Sequence, residues 1–305
     1  MAIDRFPLVI DQRSELEINS GQLVIRNKKD ITHIPIQLIQ IMIMASPCHF
    51  SSSLLQKLAA SGIVVVILPT RGSQEVAWVS PGLSTRWPIR QRQYLYRNHP
   101  HMAWLWVEKK IQAQQHVLKL LGEPVEKLEQ IRPPETLMLE KILGIEGAAT
   151  RYYFDRLAKH VPPQWAFTQR NRRPPRDPFN ALLSLTYTLF TTEAIKVAHG
   201  FGFDPWVGFL HKPYPARPAL ALDAIEPVRP LIDLWCLALT QQLDTKAHFY
   251  QEDSKVLLNK AGRSIYFSNW ARDRQDWHNG KSTIQCLYAL LEQCEQRLEQ
   301  LAAAG

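Results

Sequence analysis

Ile63-Val64-Val65-Val66-Ile67-Leu68, then Val76-Ala77-Trp78-Val79, then Ser80-Pro81-Gly82 is the stretch on which the fold turns. The first run is apolar and largely β-branched, the pattern of a buried strand. The second is the last segment with strand character, and the turn closing it separates two kinds of sequence. Strand signals dominate before it, and long Gln- and Leu-rich segments of helical period follow.

Working back toward the N-terminus, Ser51 to Ala60 reads as a short helix, with serines available for the N-cap and Gly62 for the left-handed C-terminal residue. Further back, Glu15 to Ile18 and Leu23 to Arg26 alternate apolar and polar residues around Asn19-Ser20-Gly21-Gln22, which predicts a hairpin. Working forward, Gln91 to Leu121, Pro134 to His160, Phe179 to His199, Asp223 to Gln242 and Thr283 to Ala304 have helical period, joined by proline-rich connectors such as Arg173-Pro174-Pro175-Arg176-Asp177-Pro178. The expected fold class is α+β: a small N-terminal β-rich domain over residues 1–86, then a larger all-α domain over 87–305. The boundary falls between Gly82 and Gln91.

The 305 residues suffice for a well-buried core, and 46% hydrophobic against 21% charged residues argues against disorder. Cys48, Cys236, Cys286 and Cys294 form no CxxC pair, so neither a disulfide framework nor a zinc ribbon is expected. No export signal opens the chain and no run approaches a membrane span, so a cytoplasmic location without membrane contact is expected. The 36 Lys and Arg exceed the 28 Asp and Glu by 8, which favours a polyanionic partner.

That charge is uneven. Residues 86–110 carry six basic residues against one Glu, and residues 151–177 carry seven against two Asp, so each run is +5. Such runs are commonly solvated faces, but Trp87, Tyr94, Tyr96, Tyr152, Tyr153 and Trp165 are interleaved, as in grooves that combine cations with stacking rings. Arg151, Arg170, Arg172, Arg173 and Arg176 are the candidate phosphate contacts.

Glu146 shares a helical stripe with Ile142, Leu143, Ala149, Tyr153 and Leu157, which aims a carboxylate at the core. There it must meet a cation, a metal or a hydrogen-bond network, and the spacing leaves a structural ion pair and a functional site both open. Gly144 and Gly147 flank it in a helix they disfavour, as close approach of a backbone or ligand would require. His211 ends the turn Gly202-Phe203-Asp204-Pro205-Trp206-Val207-Gly208-Phe209-Leu210, on a loop stiffened by Pro213 and Pro215. Asp223 and Glu226, three apart, lie on roughly one face of a helix that Pro227 and Pro230 place close to its start, where acidic residues also suit the helix dipole. Together the four supply carboxylate oxygens and one imidazole, a set suited to Mg²⁺ or Mn²⁺. His99, His101 and His278 beside Asp276 are weaker candidates in polar, basic surroundings.

Four segments carry a family resemblance: Leu143-Gly144-Ile145-Glu146-Gly147-Ala148-Ala149-Thr150-Arg151-Tyr152-Tyr153-Phe154, Asp177-Pro178-Phe179-Asn180-Ala181-Leu182-Leu183-Ser184, Gly208-Phe209-Leu210-His211, and Leu220-Ala221-Leu222-Asp223-Ala224-Ile225-Glu226-Pro227-Val228-Arg229-Pro230. In this order they resemble the CRISPR-associated spacer-acquisition integrase and endonuclease, the Cas-one family. The resemblance implies a β domain for dimerisation and partner binding, followed by a catalytic α domain. It implies Glu146, His211 and Glu226 as metal ligands, Asp223 as a nearby acidic group, and Mg²⁺ or Mn²⁺ as cofactor. It also implies a homodimer, two of which clamp the small partner Cas-two on double-stranded DNA, the spacer precursor and the CRISPR repeat. The usual second acidic residue after the final Glu is replaced here by Pro227. The implied reaction is attack of a 3′ hydroxyl on a phosphodiester, with water as the alternative nucleophile. Two other readings fit the same residues: a structure-selective metal nuclease for branched DNA in repair, and a non-catalytic DNA-binding scaffold.

Overall fold

The computed structural model describes residues 6–69, 76–80, 86–171, 174–215 and 217–304. The N-terminal region is built from β1 (Phe6–Ile10), β2 (Ser14–Asn19), β3 (Gln22–Arg26), β4 (Ile31–Pro35), β5 (Ile39–Met44), β6 (Cys48–Phe50), α1 (Ser52–Ala60), β7 (Val64–Ile67) and β8 (Ala77–Val79). One sheet runs β4-β3-β2-β6 and a second runs β1-β5-β7-β8, with β1, β5 and β7 parallel and β8 antiparallel. The expected hairpin is β2–β3, closing on Ser20 (φ 48) and Gly21 (φ 77). Both turn residues have positive φ, the two-residue geometry that matches strand twist and that glycine adopts without strain. Ser51 is the N-cap residue of α1, but its hydroxyl meets Ser53 Oγ rather than capping the helix.

The second sheet serves two cores. Met42, Met44 and Val65 face Leu16, Leu23 and Ile25 of the first sheet and Leu54 and Leu58 of α1. Ile41, Ile43, Val64 and Val66, their neighbours in the two-residue period, face the helices instead. Trp78 Nε1 donates to Thr192 Oγ1 at 3.4 Å and Lys196 Nζ to the Gln40 carbonyl at 3.4 Å, adding polar ties across that junction.

Beyond it come α2 (Trp87–Tyr96), α3 (Pro100–Leu120), α4 (Glu126–Glu129), α5 (Leu139–Leu157), α6 (Pro178–Phe201), α7 (Ala219–Ile225), α8 (Arg229–Leu239), β9 (Phe249–Glu252), β10 (Lys255–Leu258), α9 (Lys260–Asp273) and α10 (Thr283–Ala304). Helix α6 is buried around most of its circumference and forms the axis on which α7, α8 and α10 pack. Asp177 caps it by accepting from Asn180 N at 2.8 Å, with Pro178 in the first turn where the missing N–H costs nothing. Among the described residues no helix is long and apolar enough to cross a membrane, and all four cysteines are free thiols.

Several expectations change. Gln91 to Leu121 is two helices, because Pro100 starts a new one after a break at 97–99. Asp223 to Gln242 is also two: α7 ends at Ile225 and α8 begins at Arg229 with Pro230 in its first turn. Glu226 therefore follows the end of one helix rather than opening another. Helix α5 starts at Leu139, after a connector that includes Pro133 and Pro134. The helical region is not wholly α: β9 and β10 form an antiparallel hairpin, so Val79 does not end the last strand, and α9 was not anticipated.

Candidate active site

Helix α3 carries a buried stripe, Met102, Trp106, Lys110, Gln114 and Val117, at three- and four-residue steps. Two of its members are polar. Lys110, whose side chain is only 5% exposed, bonds Glu146 Oε1 on α5 and lies 2.7 Å from Glu226 Oε2. Thr150 Oγ1 also donates to Glu146 Oε1, at 3.0 Å. Glu146 is a rim residue, 21% exposed, whereas Glu226 is 3% exposed.

The loop carrying His211 is drawn against α7 by Asp223, which is fully buried. Asp223 Oδ2 accepts from the backbone N–H of Phe209 (2.6 Å) and Leu210 (3.0 Å), and Oδ1 accepts from His211 N (2.9 Å) and Nδ1 (2.7 Å). Gly208 makes this turn possible: a Cβ there would stand 2.8 Å from both Asp223 Oδ2 and the His211 carbonyl, and 2.9 Å from the Ala219 carbonyl carbon. A carboxylate only accepts, so His211 Nδ1 carries a proton toward Asp223, and in the neutral ring Nε2 then presents a lone pair. That lone pair faces Glu226 Oε1 at 3.8 Å.

Glu226 is held by two cationic side chains, with the His211 ring beside them. Burial works to raise its pKa, but Arg229, with Nη1 3.1 Å from Oε1, then Lys110 and His211 more than reverse this and keep it well below the ordinary carboxylate range. Its Oε2 nevertheless lacks a well-directed hydrogen bond, the Lys110 contact being an ion pair. Beneath Arg229 the Tyr187 ring lies 4.8 Å from the guanidinium carbon, and the Tyr187 hydroxyl bonds Asp233. Burial pushes the Asp233 carboxyl up to about 6, against the lowering effect of the Tyr187 and Tyr153 hydroxyls.

The structure thus brings Glu146, His211, Asp223 and Glu226 together from α5, a loop, α7 and the residue after it. Among the described residues, however, no three His, Cys, Asp or Glu side chains are arranged as a formed metal site. The physical reason is Lys110, whose ammonium stands between Glu146 and Glu226. The donor chemistry does fit a hard divalent cation: two carboxylates, one with an under-bonded buried oxygen, and an imidazole whose far nitrogen is fixed by a third carboxylate, Asp223.

Other expectations divide. Leu143 is exposed, off the buried stripe. A Cβ at Gly144 or Gly147 would meet nothing within 4 Å, so no approaching backbone in this chain accounts for them. Tyr153 and Trp165 are core residues rather than stacking rings, while Trp87 and Tyr94 are exposed. Arg170 turns inward to Asn180 Oδ1 (2.7 Å) and Ser184 Oγ (3.2 Å) beside Tyr187, unlike a surface phosphate contact. Arg151 and Arg176 are exposed; Arg172 and Arg173 lie outside the described residues. In the first basic run Arg86 and Arg92 pair with Glu295 and Glu299 of α10. His99 stacks on His101 and His278 meets His116 edge-on, neither in a metal cluster. Lys110 and Arg229 were missed; the signal for Lys110 was its place on a stripe with Met102 and Trp106.

Beside His211 opens a cleft of about 530 Å³ whose wall includes Arg97, His99, Leu139 and Lys212. A mixed sheet joined to a helical body, with a fixed imidazole at the wall of a basic cleft and carboxylates beside that imidazole, defines a class of protein that handles an anionic substrate at a polar centre. The chain belongs to the family of the CRISPR associated protein Cas1, whose pattern matches residues 8–272. It is 29% identical over 274 residues to a CRISPR-associated endonuclease Cas1 of Rhodospirillum rubrum, covering 78% of this chain and 76% of that one. Its fold matches a Cas1 protein from Thermotoga maritima with a TM-score of 0.86 at 20% identity, over 96% of this chain and 97% of the other. A casposase bound to integration product matches with a TM-score of 0.79 at 22% identity, over 99% and 91% of the respective chains.

Proposed function

We propose that this chain is a metal-dependent DNA integrase and endonuclease of CRISPR adaptation, which inserts spacer DNA into the repeat array by attack of a 3′ hydroxyl on a phosphodiester. The observation that carries the reading is the oriented imidazole. Asp223 accepts a hydrogen bond from His211 Nδ1–H, and in the neutral ring the Nε2 lone pair is left facing Glu226, with Glu146 across Lys110. Glu146, His211 and Glu226 would hold the ion, and Asp223 would orient His211 without touching it. A Mg²⁺ or Mn²⁺ bound there supplies the charge that polarises a scissile phosphodiester and stabilises the displaced oxyanion.

The remaining residues bind and orient. Arg229 offsets the charge of Glu226, and Tyr187 with Asp233 supports Arg229 from below. Arg97 and Lys212, exposed at the cleft, would receive phosphates beside His211, with the exposed Arg151 and Arg176 guiding the duplex. With a 3′ hydroxyl as nucleophile one phosphodiester replaces another without external energy; with water the same centre cuts. The proposed partners are double-stranded DNA, a second copy of this chain and the small adaptation protein Cas-two. The endonuclease description of the Rhodospirillum relative supports the cutting reaction.

The test incubates the protein and its small partner with a 3′-hydroxyl duplex and supercoiled plasmid, with Mg²⁺ or Mn²⁺. Joined product is expected, and Glu146→Gln and Glu226→Gln should each lower joining by about a hundredfold or more with DNA binding kept. Cutting without any joined product, even with the partner present, would favour a branched-DNA nuclease. Undiminished joining by Glu146→Gln would remove Glu146 from the chemistry, and DNA binding with neither cutting nor joining would leave only a scaffold.

A further inference from the structure

Lys110 holds a position that an ordinary structural lysine does not. Its ammonium, almost wholly enclosed, bridges the two carboxylates that would have to share a divalent ion. A buried ammonium and a divalent cation on the same oxygens repel strongly, because the enclosed site screens little. Next to it is a cavity of about 40 Å³ lined by Lys110, Gln114, Thr150, Arg170, Arg229 and Asp233. That volume has room for one small polar group. Two acceptors belong to its lining: Gln114 Oε1, one turn along α3, is buried without a hydrogen-bond partner, and Asp233 is a buried carboxyl. The two arginines there are already engaged, Arg170 with Asn180 and Ser184, Arg229 with Glu226.

We infer that Lys110 is a resident counter-cation with two positions. In one its ammonium neutralises Glu146 and Glu226; in the other it lies in the adjacent cavity against Gln114 Oε1 and frees both carboxylates for a divalent ion. Lys110 is a positioning residue in this scheme, acting through the ligands rather than on the DNA. The inference rests on the metal-site reading above and adds to it a cost of loading the metal that is set inside the protein.

The experiment measures Mn²⁺ binding by electron paramagnetic resonance on the full chain, without DNA. Lys110→Met should bind Mn²⁺ at least about tenfold more tightly than wild type, because the competing charge is gone while the stem still fills its space. Gln114→Leu, which removes the acceptor of the displaced position, should weaken Mn²⁺ binding several-fold, and should have no effect in the Lys110→Met background. Opposite signs from neighbours on one helix are not what general loosening produces. Should Lys110→Met fail to fold, Gln114→Leu alone decides: unchanged Mn²⁺ affinity overturns the inference. Mn²⁺ binding that Glu226→Gln abolishes but Lys110→Met leaves unchanged or weakens overturns the role of Lys110 and spares the site. Absence of Mn²⁺ binding in wild type and Lys110→Met alike removes the metal-site reading itself.

Discussion

Asp223→Asn isolates the link between the His211 loop and the acidic centre. The native carboxylate accepts four hydrogen bonds in a fully buried position, three from consecutive backbone N–H groups and one from the ring. An asparagine oxygen can keep the Phe209 and Leu210 donors, as neutral rather than charge-assisted bonds. Its amide then points two donors at the His211 backbone N–H and at Nδ1. One N–H is left buried without an acceptor, and with the weakened bonds this amounts to about 3–5 kcal/mol of lost stability. Nδ1 can meet the amide only by giving up its proton, which moves to Nε2 and removes the lone pair facing Glu226. Mn²⁺ affinity should therefore fall about 10–100-fold, the usual cost of losing such a supporting carboxylate. Urea unfolding followed by circular dichroism reads the first effect, and Mn²⁺ titration on the folded fraction reads the second. A variant that unfolds within about 0.5 kcal/mol of wild type and binds Mn²⁺ equally well would refute the tautomer argument.

Other outcomes follow from single contacts. Asp177→Ala removes the cap on Asn180 N and the bond from Asn180 Nδ2 at 2.6 Å, so unfolding free energy should fall by about 2–3 kcal/mol with Mn²⁺ affinity unchanged. Because burial raises the Asp233 pKa to about 6, above its unfolded value, its contribution to stability is complete at low pH and is lost as pH rises through about 6. Urea midpoints between about pH 3 and 7.5 should show that decline, worth up to about 3 kcal/mol over the whole interval and complete just above pH 6, and Asp233→Asn should flatten it. Gly147→Ala meets no atom within 4 Å and should stabilise α5 by up to about 1 kcal/mol; weakened binding in a DNA anisotropy titration would assign the bare surface to DNA, and unchanged binding would deny it.

The segments legible in the sequence were those whose period is enforced by burial. The β2–β3 hairpin has alternating residues around a turn of two, and α10 repeats Leu287, Leu291, Cys294 and Leu298 along one buried face. The β9–β10 hairpin was missed because each strand has four residues and neither alternates apolar with polar side chains; its trace is Asp253, at φ 53 between two short runs. Helix breaks were misplaced wherever proline had to be assigned to an interior or a first turn, which depends on what the preceding residues pack against. Among the site residues, Glu146 stood out because a carboxylate on an apolar stripe demands a partner. Lys110 satisfies the same test on α3 but passed as part of a basic run, since sequence charge does not distinguish a solvated ammonium from one locked between carboxylates. That Asp223 meets His211 Nδ1 while Glu226 meets Lys110 depends on the chain leaving α7 at Ile225, a tertiary outcome that three-residue spacing does not contain.

Strand β7 has a bearing beyond architecture. Val65 belongs to the inner β core while Val64 and Val66 belong to the helical one, so neither region owns its own boundary. Cutting the chain after Val79 would not release a self-sufficient helical body; it would strip a wall from α6 and leave an oily surface that invites clumping. By the same arrangement, a load applied to the N-terminal sheets has a direct route into the helices. It would be delivered through Trp78 and Gln40 to Thr192 and Lys196 on the helix that also carries Tyr187, the support beneath Arg229.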